Sequence, residues 1–214
     1  MLSMDLYLSH ILYPITNLGP GKRIGLWVQG CSMRCPECMA PELFDKNEKN
    51  KQSVLEIFEK LYSISEGYAG VTISGGEPFE QANALLVLTD LIIRNTEMDI
   101  MIYTGFTLDE ILSGSKDKIQ LLSKIDILVD GPFKVELSNK KLWRGSDNQK
   151  ICFLSKRSQK YKSYTNAEYP NIRKLNIYEI SNGTFSIVGI PERNFISQFH
   201  RENKNKGLQL LKRS

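Results

Sequence analysis

The sequence predicts an α/β fold organised on a parallel sheet. Three observations predict it. Four short apolar segments, each closing on a glycine, run along the first two thirds of the chain. Stretches of helical periodicity separate them, and strand–helix alternation of this kind is the pattern of crossover-connected parallel strands. The chain has 214 residues, 41% of them apolar and 24% charged, which is ordinary for a globular protein and enough to bury one sizeable core.

The segment "RIGLWVQG" (residues 23–30) reads as the first buried strand. In "NKQSVLEIFEKLYSISEG" the residues Val54, Leu55, Ile57, Phe58 and Leu61 recur at helical spacing, with Ser53 as N-cap and an end near Gly67. "AGVTIS" (69–74) is the second strand; it breaks at "GGEP", and a helix follows through "QANALLVLTDLIIRN". "MDIMIYTG" (98–105) is the third strand, "TLDEILS" opens a helix at Thr107, and "IDILVDGPF" (125–133) is the fourth strand, ending in a Gly-Pro turn. Beyond Phe133 the pattern loosens. One further strand is predicted near Ile151, then a polar, basic, Tyr-rich linker in "KRSQKYKSYTNAEYPN". "KLNIYEISNGTFSIVGIP" alternates on both sides of Asn182-Gly183, a hairpin signal, and "ERNFISQFHRENKNK" reads as a short helix fraying into a basic tail. The predicted division is a core of residues 1–155 and an accessory element of residues 156–214.

No run of about 18 apolar residues is present, so no membrane span is predicted. The opening "MLSMDLYLSHILYP" carries Asp5 and no basic residue before its apolar positions, unlike a signal peptide. The expectation is a cytoplasmic protein with reduced cysteines. Charge is uneven: residues 1–133 carry 11 Lys and Arg against 18 Asp and Glu (−7), residues 134–214 carry 17 against 6 (+11). A basic third attracts nucleic acid, an acidic partner or only water. Here the basic residues are scattered among Ser, Asn and Tyr without one helical face, which argues against nucleic acid.

In parallel α/β folds ligands sit at the C-terminal ends of the strands. Each unusual motif falls at such an end. After the first strand comes "GLWVQGCSMRCPECMAPELFD", with Cys31, Cys35 and Cys38 in the spacing C-x3-C-x2-C. Structural zinc wants four donors, and the other candidates, His10, Cys152 and His200, are distant in sequence. Three thiolates hold a [4Fe–4S] cluster and leave its fourth iron open. Spacing alone favours the cluster and leaves zinc as the alternative; a disulfide is disfavoured.

This cysteine spacing, with "GGEP" after the second strand, resembles the radical S-adenosylmethionine (radical SAM) superfamily. Within it the chain most resembles the activating proteins of anaerobic class III ribonucleotide reductases. The shared stretches are the cysteine segment, "TISGGEPFEQ", "IYTGFTLDEI", "IDILVDGPF" and "LWRGSDNQKI", all between Gly25 and Ile151. The resemblance implies a partial (βα) barrel with an open, curved parallel sheet, extended here by a C-terminal β-hairpin. It implies that Cys31, Cys35 and Cys38 hold the [4Fe–4S] cluster and that S-adenosylmethionine binds at the open iron. It further implies an enzyme that cleaves S-adenosylmethionine reductively to a 5′-deoxyadenosyl radical and makes a glycyl radical on a large partner such as anaerobic ribonucleotide reductase. A flavodoxin- or ferredoxin-type protein would supply the electron. The alternatives are a radical SAM enzyme modifying a peptide or small molecule, and a zinc-binding interaction module.

By the same resemblance Gly75 and Gly76 let the backbone approach the methionyl end, Glu77 accepts from the α-amino group, and Pro78 fixes the turn. Tyr103, Thr104 and Gly105 bring polar groups near the adenosyl portion. Asp130 reads as a ribose or channel group or, equally, as a turn former before Gly131-Pro132. Arg144 and Asn148 read as a buried network ahead of a partner contact, Gln29 as a hydrogen-bond partner of the loop backbone, and Cys152 as a buried small hydrophobe. Glu37 stands where the superfamily usually has an aromatic residue, so adenine contacts are expected from the backbone. The accessory element, beyond the resemblance, is expected to dock a partner rather than brace the body.

Overall fold

The computed structural model describes residues 4–36, 38–169, 175–181, 184–192 and 195–203. Glu37, the Asn182-Gly183 turn and the basic tail lie outside the described residues. Seven strands form one sheet: β1 (Asp5–Ile15), β2 (Arg23–Val28), β3 (Lys51–Ser53), β4 (Gly70–Gly75), β5 (Asp99–Tyr103), β6 (Ile127–Asp130) and β7 (Lys150–Phe153). Their order is β3-β1-β2-β4-β5-β6-β7. The four predicted strands, β2, β4, β5 and β6, are parallel neighbours. The sheet is nevertheless mixed, because β1 pairs antiparallel with β2 and β3, and β7 with β6.

The crossovers are helical. Ser53 caps α1 (Val54–Ser63) by accepting from Leu55 N–H, as the sequence predicts. A 3-10 turn (Pro78–Gln81) leads into α2 (Ala82–Asn95). Thr107 and Glu110 form a capping box at α3 (Leu108–Leu112), followed by α4 (Lys116–Leu122). Strand side chains alternate between two faces. Ile24, Leu26, Ile73, Ile100, Ile102 and Leu128 face the helices and pack with Ile57, Leu61, Leu85, Leu88 and Leu121 in the main core. Each such burial contributes about 1.5–3 kcal/mol. Trp27, Met101, Tyr103, Ile127 and Val129 belong to two smaller clusters on the other face.

That other face is covered by the C-terminal third. The segment expected as a linker begins with a 3-10 helix, Lys156–Tyr164. Arg157 pairs with buried Asp126 at 2.6 Å, and the Tyr164 ring lies 5.0 Å from that of Trp143. The hairpin is β8 (Asn176–Ser181) with β9 (Thr184–Val188), followed by α5 (Phe195–Asn203). Its Val188, 2% exposed, packs with Leu12, Ile15, Leu18, Trp27 and Leu43. Asn17 Nδ2 donates to Val188 O at 2.7 Å, and the Tyr178 hydroxyl donates to Pro14 O. The hairpin is therefore packed on the body. Among the described residues no helix is long and apolar enough to cross a membrane.

Candidate functional site

A cavity of about 480 Å³ opens at the C-terminal ends of the parallel strands. Cys31, Cys35 and Cys38 line it, together with Gly75, Gly76, Glu77, Tyr103 and Thr104. The motifs after all four parallel strands thus meet at one place, the fourth through Gly131, Pro132 and Phe133.

Backbone bonds hold the cysteine loop. Gly30 N–H donates to Leu43 O and Cys31 N–H to Phe44 O, both at 2.9 Å, closing the loop on itself. Cys31, Cys35 and Cys38 are free and partly exposed. Burial pushes the Cys31 and Cys38 thiols up, so their thiolates need a cation to form readily. Three thiols on one cavity are a donor set that fits a polynuclear group with one thiolate per iron.

The glycine turn is welded to this loop. Gly76 N–H donates to Val28 O (2.8 Å) and Glu77 N–H to Gly30 O (2.7 Å). A Cβ at Gly76 would stand 2.3 Å from Gly30 O, and one at Gly75, where φ is +107°, 2.5 Å from Val28 O. The two glycines are thus required by close approach to the protein's own backbone, a reason additional to any ligand.

Glu77 is 1% exposed. Its Oε1 accepts from Phe79 N–H (2.9 Å) and the Thr104 hydroxyl (2.7 Å), and its Oε2 from Gly105 N–H (2.8 Å). Burial raises its pKa to about 7 in spite of these bonds. Thr104 also accepts from Phe106 N–H at 3.1 Å. Burial drives the Tyr103 phenol well above its ordinary value, and its hydroxyl has no partner among the described residues.

Asp130 stands apart from this group. It is absent from the cavity lining, and its carboxylate accepts from Leu108 N–H (2.8 Å) and Lys150 N–H (3.1 Å). The structural alternative is the one its geometry supports, with Asp130 tying α3 and β7 to the end of β6. Buried Arg144 donates to Gln149 O and Thr165 O, and half-buried Asn148 donates to Pro132 O, so both engage the protein's own backbone. Gln29 Oε1 accepts from Asn47 N–H at 3.2 Å. Cys152 is half-buried against the main core and lies outside the cavity.

Three contributors escape the sequence reading. Glu80 Oε1 accepts from Ser32 N–H at 2.9 Å, pinning the cysteine loop to the turn of "GGEPFEQ". The residues Ser186, Val188 and Ile190 of the hairpin region line the cavity. So does His10 of β1, which the sequence offered only as a distant zinc donor and not as a cavity residue. Only Glu80 had a local signal, an acidic residue three positions after Glu77.

A family described as "4Fe-4S single cluster domain" matches residues 17–152. The anaerobic ribonucleoside-triphosphate reductase-activating protein of Enterobacteria phage T4 is 30% identical over 62% of this chain and 85% of its own length. The protein of the same name from Escherichia coli (strain K12) is 33% identical over 68% of this chain and 97% of its own. Among solved structures, QueE from Escherichia coli aligns with 48% of this chain and 53% of its own at 21% identity, with a TM-score of 0.43.

Proposed function

The chain belongs to the 4Fe-4S single cluster domain family and to the anaerobic ribonucleoside-triphosphate reductase-activating proteins, and from that premise we propose that it is a radical SAM enzyme that generates a glycyl radical on a large partner enzyme. The observation that carries the reading is the meeting of Cys31, Cys35 and Cys38 with the Gly75-Gly76-Glu77 turn on one cavity. The partner is an anaerobic ribonucleotide reductase, and the electron comes from a flavodoxin- or ferredoxin-type protein.

The residues fit the cofactors. The three cysteines would hold a [4Fe–4S] cluster as thiolates. Held there, the reduced cluster would supply the one electron that reductive cleavage of S-adenosylmethionine needs, and with it the radical chemistry that removes a hydrogen atom from the partner's glycine. The chain's own work is positioning. Glu80 and the Gly76 and Glu77 amides keep the cysteine loop fixed to the turn. Glu77, already engaged by three donors, keeps a carboxylate at the cavity for the α-amino group of the methionyl end. Its high pKa means that a cationic amino group entering there favours loss of the Glu77 proton. The sheet, read as a partial (βα) barrel, leaves a side through which a loop of the partner reaches the cavity.

The test is anaerobic reconstitution followed by iron and sulfide analysis, then reduction in the presence of S-adenosylmethionine. The reading expects about four irons per chain and formation of 5′-deoxyadenosine. Substitution of Cys31, Cys35 or Cys38 by Ala should abolish both, and Cys152→Ala neither. Stoichiometric zinc without sulfide would refute it.

A further inference from the structure

We propose that the outer face of the C-terminal hairpin, formed by Ile177, Phe185 and Ile187, is a docking surface for the partner enzyme, which meets it with an acidic surface carrying apolar side chains. This rests on the reading above and deepens it by placing the partner on the chain.

The first argument is that the hairpin has two unlike faces. Side chains of paired strands alternate between faces, and residues directly opposite share one. Tyr178 pairs with Ser186, and Val188 lies on the same face two residues on. That face is turned to the body: Val188 packs with Trp27, and the Tyr178 hydroxyl donates to Pro14 O. Ile177 pairs with Ile187, and Phe185 shares their face. That second face is turned to solvent, with Ile177 63% and Phe185 50% exposed. The solvent side of such a ribbon is expected to be polar. A row of large apolar side chains there marks an interaction site.

The second argument is continuity with the cavity. Ile187 is among the cavity-lining residues, so the outer face runs into the mouth. Exposed Met39 lines the same cavity from the cysteine loop, and exposed Leu137 stands in sequence between the lining residues Val135 and Ser138. Large apolar side chains from three separate segments thus border one opening. The reading above sends a glycine of a large protein into that opening. A specific complex covers about 800 Å² on each partner, more than one entering loop supplies. The remainder comes from the surface beside the mouth, and the hairpin is the apolar part of that surface.

The third argument is charge. Residues 156–214 carry 12 Lys and Arg against 4 Asp and Glu (+8), while residues 1–155 carry 16 against 20 (−4). A basic element speeds encounter with a negative surface and rejects a positive one. The family match ends at residue 152, so the basic element and the hairpin face both lie outside the shared machinery. That place suits an element that selects one partner and leaves the common chemistry alone.

The experiment uses the full-length protein, reconstituted without oxygen, and the anaerobic ribonucleotide reductase of the same organism as the probe. The variants are Ile177→Ser, Phe185→Ser and the two combined. Because both side chains face solvent, all three variants should keep wild-type iron, sulfide and Tm. Affinity for the reductase, read by biolayer interferometry, should fall roughly three- to tenfold in each single variant and further in the double one. The wild-type affinity should weaken as salt is raised. Wild-type affinity in the double variant, or affinity indifferent to salt, would overturn the inference. So would a lowered Tm, which would show the face already covered within the chain. Dissociation of a dimer in light scattering would show a second copy there instead, and lost binding to phosphatidylglycerol vesicles with reductase affinity kept would show a membrane; either result would overturn it. These outcomes leave the enzyme reading intact. A wild type that does not bind the reductase would overturn the partner and this inference together, and one that forms no 5′-deoxyadenosine on reduction would overturn the enzyme reading itself.

Discussion

The Thr104 hydroxyl donates a 2.7 Å hydrogen bond to Glu77 Oε1, and the two residues are 5% and 1% exposed. That bond joins the turn after β4 to the loop after β5, and both line the cavity. Removing the carboxylate therefore has a structural cost as well as a chemical one. Glu77→Ala should leave the Phe79 and Gly105 amides and the Thr104 hydroxyl without their acceptor, costing about 2 kcal/mol. For a chain of this size that is a fall in Tm of about 4–8 °C, read by thermal unfolding. An unchanged Tm would show these bonds to be dispensable.

The same carboxyl gives a pH signature. Burial raises the Glu77 pKa from 4.5 to about 7 in the folded chain. Between those values the fold holds a proton that the unfolded chain has lost, so this group's contribution is full below about pH 4.5 and declines as pH rises through about 7. Denaturant unfolding of wild type and Glu77→Gln at pH 5 and pH 8 should show the wild type losing ground to the variant, by up to about 3 kcal/mol. A constant difference between the two would rule out a raised pKa.

Asp130→Ala separates a structural carboxylate from a ligand-binding one. It removes the acceptor for Leu108 N–H at the start of α3 and for Lys150 N–H in β7. The expected result is a loss of about 1–3 kcal/mol of stability with S-adenosylmethionine affinity within twofold of wild type. A large affinity loss without a change in Tm would return Asp130 to the ligand site.

Arg157→Ala tests whether residues beyond 155 belong to the body. Burial pushes the Asp126 carboxyl up, but hydrogen bonds from Arg157, Ser155 and Ile100 outweigh it and hold its pKa below the usual range. The pair therefore stabilises the fold above the ordinary Asp range, and that contribution is lost as pH falls through the lowered value. Arg157 is 41% exposed, so the expected cost at neutral pH is discounted to about 1–2 kcal/mol. The same melt recorded at successively lower pH should show wild type and variant converging as the Asp126 carboxyl takes up its proton.

The centre of the sheet was legible because each parallel strand is a compact apolar run cut off by a glycine motif. All four of those motifs mark the cavity rim. β1 was not legible. Leu6 and Leu8 face the main core, the register slips between Leu8 and His10, and Leu12 and Ile15 belong to the opposite cluster. A strand that changes faces partway shows no steady period of two. The stretch Lys156–Tyr164 hid for a different reason. Its composition is that of a solvated linker, and what orders it is contact with Asp126 and Trp143, which no local pattern announces. The thiols and Glu77 were found by motif, whereas His10 and Val188 reach the same cavity from 21 residues before and 157 residues after Cys31.

The outermost strands of the seven-stranded sheet carry a last consequence. β3 has three residues, starting at Lys51, and β7 has four, starting at Lys150. An open sheet ends in rows of unpaired amides and carbonyls that invite another chain to add a strand. Here each row is too short to template that addition, and a lysine stands in each. Concentrated protein should therefore resist edge-to-edge polymerisation through β3 and β7, with no aggregate growing by strand addition at either edge.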